Sequence, residues 1–256
     1  MLAARLHGIP AVVLAVIAGA WALALAAEAT GQQAQLHHDA LLGPGAPPLW
    51  AGLLLFLLAW QAMIAAMMLP GSLPLIRFFR AASQNAPRPR TALAAFLAGY
   101  AVVWSGFGVL AFLWDAGVHR VIDEVAVLQA GAWMMGPAVL ALAGAFQFTS
   151  LKDRCIDVCR NPGVLLLRHY ERGAAGAFRL GRRHGLFCLG CCWALMLLMF
   201  VVGVANLWWM ALLTLVMVYE RTRPASRRAV PVTGIALLGA AAVLLPYNAW
   251  VAGVLG

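Results

Sequence analysis

Charge is what this chain has least of. Only 11% of its 256 residues are Asp, Glu, Lys or Arg, while 64% are hydrophobic; soluble domains carry roughly 25% charged residues. The longest polar stretch is about 35 residues, too short to build an independent core without staples. These shortages exclude a soluble domain and point to an all-α polytopic membrane helix bundle, a single membrane domain over 1–256. Acids number nine against 18 cations, of which all but Lys152 are arginine. The resulting +9 is what the positive-inside rule asks of a multi-pass protein, so no nucleic-acid partner is expected. Enzyme signatures are missing too: there is no His-Glu-x-x-His, no Gly-x-Ser-x-Gly and no phosphate loop. No charge sits in the middle of an apolar run, where a proton-coupled transporter normally places one, and no inverted repeat stands out. Cysteine is absent outside residues 155–192, and the five present are an odd number, unlike a secreted disulfide framework.

Apolar runs and charged loops predict about seven membrane segments, N-terminus inside and C-terminus outside. Ile9 to Ala27 is the first, 19 residues and long enough to cross; a cleaved signal peptide ending at Ala24-Leu25-Ala26 is the rival reading. Glu28 to Pro48 has no Lys or Arg and is expected outside, with His37-His38-Asp39 as a transient outer metal contact or a plain hydrated loop. Leu49 to Leu69 is the second segment, in which Gln61 needs a partner. Pro70 to Arg90 is an inside loop. Thr91 to Trp114 is the third segment, with Gly99, Gly106 and Gly108 permitting close helix contact. Asp115 to Glu124 is a short outside loop, and Val125 to Phe148 the fourth segment, kinked at Pro137. Thr149 to Gly185 is a Cys- and Arg-rich cytosolic loop. Its Gly163 to Leu180 portion reads as an amphipathic helix on the membrane surface, or one packed beneath the bundle.

Leu186 to Tyr219 is 34 residues without a charge, about 51 Å as one helix and too long for one crossing. Arginines flank both ends, so the run is expected to go out and return, reversing at Gly203 and Asn206, as two thin spans or a re-entrant pair. Val230 to about Trp250 is the last segment. On this map 17 of the 18 cations face the cytosol.

The chemistry-bearing residues then collect at one depth. On a helix Cys188, Cys191 and Cys192 share a face, with His184 one turn earlier. Cys155 and Cys159 are also one turn apart, in the adjoining loop. Met63, Met67 and Met68 lie toward the cytosolic end of the second segment, and Met196 and Met199 lie deeper. Thiolates and thioethers favour Cu(I), and four thiolates also suit Zn(II) or an iron–sulfur cluster. Cys-x3-Cys and Cys-x2-Cys separated by 28 residues is not a standard zinc-ribbon spacing. Asp157, His169 and His184 are reserve ligands. Against a metal site stand two alternatives: cysteines as small apolar fillers, and a quinone-linked thiol oxidant, whose chemistry belongs on the opposite face.

Three stretches together resemble a known family: Trp60-x-x-Met63-x-x-Ala66-Met67-Met68-x-Pro70, then Gln147-Phe148-Thr149-Ser150-Leu151-Lys152-x-x-Cys155-x-x-x-Cys159-Arg160-x-Pro162, then His184-Gly185-Leu186-Phe187-Cys188-Leu189-Gly190-Cys191-Cys192-Trp193-Ala194-Leu195-Met196. They are similar to the predicted metal-binding integral membrane proteins, domain of unknown function 2182, over about residues 50–222. The resemblance implies a bacterial inner (cytoplasmic) membrane location. It also implies Cys155, Cys159, Cys188, Cys191 and Cys192 as metal ligands, with Met63, Met67, Met68 and His184 beside them. It carries no activity. The expected function is to handle a soft ion, Cu(I) before Zn(II), at a cytosol-side Cys/Met site. Besides the lipid bilayer, the partner would be a metallochaperone or another membrane protein. The alternatives are a structural or assembly subunit with a Zn-stapled loop, and a membrane thiol-disulfide oxidoreductase; apart from that last case the chain is expected not to be an enzyme.

Overall fold

The computed structural model describes residues 8–32, 38–42, 45–124, 132–203, 206–222 and 228–255. Among them every regular element is helical. In order these are α1 (Ala11–Ala29), α2 (His38–Leu42), α3 (Leu49–Met67), α4 (Leu69–Ser83), α5 (Pro89–Glu124), a 3-10 turn (Ala132–Met134), α6 (Met135–Phe146), α7 (Ser150–Arg160), α8 (Pro162–His169), α9 (Gly173–Val202), α10 (Leu207–Thr222) and α11 (Ala229–Leu255). Five helices, α1, α3, α5, α9 and α11, contain stretches long and apolar enough to cross a membrane.

The long helix α9 is the axis of the bundle. It packs most extensively on α5, with α7 and α6 on its other sides, while α11 lies on α6 and α1 on α3. The α5–α9 contact is close because glycine lines it from both sides. A Cβ on Gly181 would collide with the Phe96 carbonyl, and one on Gly99 with the Phe178 carbonyl. Gly108 plays a similar part for α3, with the Trp60 indole lying 2.8 Å from where its Cβ would be. Gly106, expected to do the same, faces open space. The indole N–H of Trp60 donates to the Trp104 carbonyl at 2.9 Å. Gln61 finds the partners it needs on α5, donating to Ser105 Oγ at 2.6 Å and the Ala101 carbonyl at 3.2 Å.

Several boundaries differ from those the charges suggested. Residues 70–83 are helical, not loop: Pro70 takes the first turn of α4, where its missing N–H costs nothing. Helix α5 runs on through Asp115 to Glu124, because polar residues mark where water begins, not where a helix must stop. Pro137 sits in the first turn of the 12-residue α6, so it starts a helix there and does not kink one. Residues 125–131, the first part of the expected fourth segment, lie outside the described residues. The expected amphipathic helix from Gly163 to Leu180 is two pieces. Tyr170 is extended and Gly173 adopts φ 88°, which separates α8 from α9. Leu165 and Leu166 of α8 are buried, and α8 packs on α4 and α7.

The uncharged run breaks at the expected place. Gly203 at φ 96° ends α9, and Asn206 Oδ1 accepts from the Trp209 N–H at 3.2 Å to cap α10. Helix α10 then returns along the bundle, since its last turn reaches the same Ser72 that His184 of α9 reaches.

Candidate functional site

Two helices bring the five cysteines together. Thr149 caps α7, its Oγ1 accepting from the Lys152 N–H at 3.3 Å. Asp153 in the first turn and Arg160 in the last suit the helix dipole. This 11-residue helix presents Cys155 and Cys159 to α9, where Cys188, Cys191 and Cys192 wait on the buried face. Cys159 Sγ lies 4.0 Å from Cys191 Sγ, and Cys191 Sγ 3.3 Å from Cys192 Sγ. Cys191 also reaches the Cys188 carbonyl at 3.2 Å, and Cys188 Sγ sits 3.1 Å from the Tyr100 hydroxyl. Cys155 lies directly over Gly190, whose absent Cβ would stand 2.5 Å from its sulfur. All five thiols are free and buried.

The donor set can be tested against a single ion. With metal–sulfur bonds of about 2.3 Å, two sulfurs on one ion lie about 3.8 Å apart in a tetrahedron and at most about 4.6 Å apart when collinear. The 4.0 Å separation of Cys159 and Cys191 falls inside that interval. No group of three or more His, Cys, Asp or Glu side chains among the described residues is gathered as a preformed metal cage. Cys159 and Cys191 are thus spaced as two thiol ligands of one ion would be. Hydrogen bonding from Cys191 holds the Cys159 thiol below its usual range, and burial pushes Cys155 up. Of the two thiols on α7, Cys159 is the readier thiolate.

The other expected residues fall in distinct places. His184 is buried, its ring stacked between Phe96 and Tyr100 at 6.2 and 5.5 Å, with Nε2 on Ser72 Oγ at 2.9 Å and a buried Nδ1 that has no hydrogen-bond partner. Met63, Met67 and Met68 are all buried. Met68 is the one tied to the thiol neighbourhood, through Arg221, whose guanidinium reaches its sulfur at 3.5 Å. Met63 and Met67 sit on α3, which packs on α10 and α5. Met196 and Met199 continue the buried line of Cys188 and Cys192 along α9. His169 caps its own helix, Nδ1 lying 3.2 Å from the Leu165 carbonyl. The side chains of His38 and Asp39, and the whole of His37, lie outside the described residues.

Sequence reasoning missed the charges around the thiols. Lys152 Nζ and Glu220 Oε2 form an ion pair at 2.8 Å with both side chains sealed from solvent. Arg160 Nε donates to the Glu220 carbonyl at 2.9 Å, tying α7 to the end of α10. Next in sequence, Arg221 is buried and donates to Ser72 Oγ at 2.9 Å. The only available hint was compositional: a chain that otherwise uses arginine keeps one lysine, where a compact ammonium fits a closed pocket.

Such an arrangement belongs to a class: a helical bundle with apolar helices fit to cross a membrane, carrying buried soft donors. The chain belongs to the PpoB2 family, described as copper chaperones, whose model matches residues 57–244. No curated protein and no solved structure matches it.

Proposed function

We propose that this chain is a multi-pass membrane copper chaperone that takes Cu(I) as cargo at a cytosol-side thiol site built from α7 and α9. The observation that carries the reading is the approach of Cys159 on α7 to Cys191 on α9, beside which Cys192 lies, within a family described as copper chaperones. Soft thiolates in low coordination suit a monovalent soft ion better than Zn(II), which takes four ligands in structural sites. Cys155, Cys188 and His184 border that centre, and Met68, Met67 and Met63 extend the soft lining toward α3. The motif resemblance to predicted metal-binding integral membrane proteins agrees with this cargo.

The membrane reading goes with seven segments in a single domain, N-terminus in and C-terminus out, in a bacterial inner membrane. It is supported by the five long apolar helices and the out-and-back course of α9 and α10. Handing on cargo needs a receiving protein, a soluble metallochaperone or a membrane partner, and no catalytic step. The test is elemental analysis of protein purified anaerobically in detergent, wild type beside a Cys188/Cys191/Cys192 triple serine variant and Cys159→Ser. Near-stoichiometric copper in the wild type that both variants lose is expected. Zinc in its place, or copper indifferent to all four cysteines, overturns the reading.

A further inference from the structure

Arg221 is buried to 2% exposure, yet its hydrogen-bond partners among the described residues are all neutral. They are Ser72 Oγ at 2.9 Å, the Met68 carbonyl at 3.4 Å and Met68 Sδ at 3.5 Å. Its Nε is buried with no hydrogen-bond partner. The adjacent carboxylate, Glu220, is engaged by Lys152. Through Ser72 the guanidinium is joined to His184, one turn before Cys188 on α9, and this places it in the neighbourhood of the Cys188, Cys192 and Cys159 thiols. Room for the guanidinium is made by Gly71, where a Cβ would stand 2.7 Å from Cζ. A buried cation is costly without a counter-ion, and here the sulfurs are the groups placed to supply one.

We propose that Arg221 is the fixed counter-charge of the thiol site, matched to the monoanion that forms when two thiolates hold one monovalent copper ion. The proposal rests on the copper reading above and names what selects the ion. The balance is simple: Cu(I) and two Cys–SH give a copper dithiolate of charge −1 and two protons. Two S–H bonds break, two Cu–S bonds form, the protons leave to solvent, and no electron moves. With Lys152 held on Glu220, Arg221 supplies the single positive charge that matches this monoanion. A divalent ion on four thiolates carries −2 and leaves one negative charge uncompensated in the interior. Arg221 is thus a positioning residue that acts on the cargo through the sulfurs.

The test uses the full chain, purified anaerobically in detergent, with two probe ions that both favour two thiolates but differ in charge. Cu(I) leaves the complex at −1, and Hg(II) leaves it neutral. Affinities are measured by competition against chelators for wild type, Arg221→Gln, Arg221→Lys and a Cys191→Ser/Cys192→Ser variant. Arg221→Gln is expected to weaken Cu(I) by about tenfold or more, equivalent to about 1.4 kcal/mol, while Hg(II) stays within about threefold. Arg221→Lys is expected to restore most of the Cu(I) affinity. Equal loss of both ions marks a merely structural arginine and overturns the proposal, as does unchanged Cu(I) binding in Arg221→Gln. Should Arg221→Gln fail to fold, the wild type still decides: release of about two protons per Cu(I) and weak Zn(II) binding are expected, and tight Zn(II) binding with about four protons released overturns it. A wild type that binds no Cu(I), or a cysteine variant that binds it equally well, instead sinks the copper reading itself.

Discussion

Replacing Lys152 by Met should be among the most damaging single changes in this chain. The pair it breaks has Nζ and Oε2 at 2.8 Å, with side chains 0% and 1% exposed. Methionine removes the charge but keeps most of the volume, so the loss is mainly that of the buried ion pair itself. Breaking a buried pair this way costs about 3–5 kcal/mol, whereas replacing both partners by neutral groups is often close to free. For a chain of this size about 1 kcal/mol moves the melting temperature by roughly 2–4 °C. Lys152→Met should therefore melt roughly 6–20 °C below the wild type in detergent. The double variant Lys152→Met/Glu220→Gln should recover most of that loss. The pH dependence has a definite sign. Burial pulls the Lys152 ammonium down, but the Glu220 carboxylate, followed by Cys192 and Cys191, outweighs it, and the net position is above the ordinary lysine value. A raised value stabilises the fold below the unfolded pKa of about 10.4 and loses that contribution as pH climbs through the folded one. Wild type and Lys152→Met should differ fully at neutral pH and converge only in strong alkali. A single variant melting within about 2 °C of wild type, or a double variant no better than the single, would refute the reasoning.

Gly190→Ala places a methyl 2.5 Å from Cys155 Sγ, so α7 must shift away from α9; bound copper per chain should fall below half while the protein still folds, read by elemental analysis. Gly203→Ala imposes a side chain on a backbone at φ 96°, ψ 126° and should cost about 1–3 kcal/mol, seen as a lower melting temperature. In right-side-out vesicles of a variant stripped of native cysteines, Glu28→Cys should label with an impermeant maleimide and Glu171→Cys only after permeabilisation; the reverse pattern would overturn the N-in orientation.

The apolar runs were legible because hydrocarbon imposes a length and a composition that survive in one dimension. Ile9 to Ala27, Leu49 to Leu69 and the core of α9 all lie close to where periodicity and charge place them. The reversal at Gly203 was legible for the same reason, since a charge-free run of that length has to fold back. What failed was the use of charge to end helices. Residues 70–83 and 115–124 carry polar groups on helices that continue past the apolar stretch. At the site, Cys155 and Cys159 on one face, and Cys188, Cys191 and Cys192 on another, follow from helical spacing. That the two faces meet was an inference from shared depth. The ion pair of Lys152 with Glu220 spans 68 residues of sequence, and a single tertiary partnership leaves no periodic trace.

Helix α10 has 16 residues, about 24 Å of rise, against about 30 Å of hydrocarbon. A segment that falls about 6 Å short is accommodated by local thinning of the bilayer around it. On the proposed topology, in which α10 is the sixth of seven membrane segments, the turn at Gly203 would lie in a dimple, with headgroups and water drawn inward on the side away from the thiols. Since membrane potential falls across the low-dielectric layer that remains, such a dimple would shorten the barrier between that turn and the buried sulfurs, and concentrate the field there.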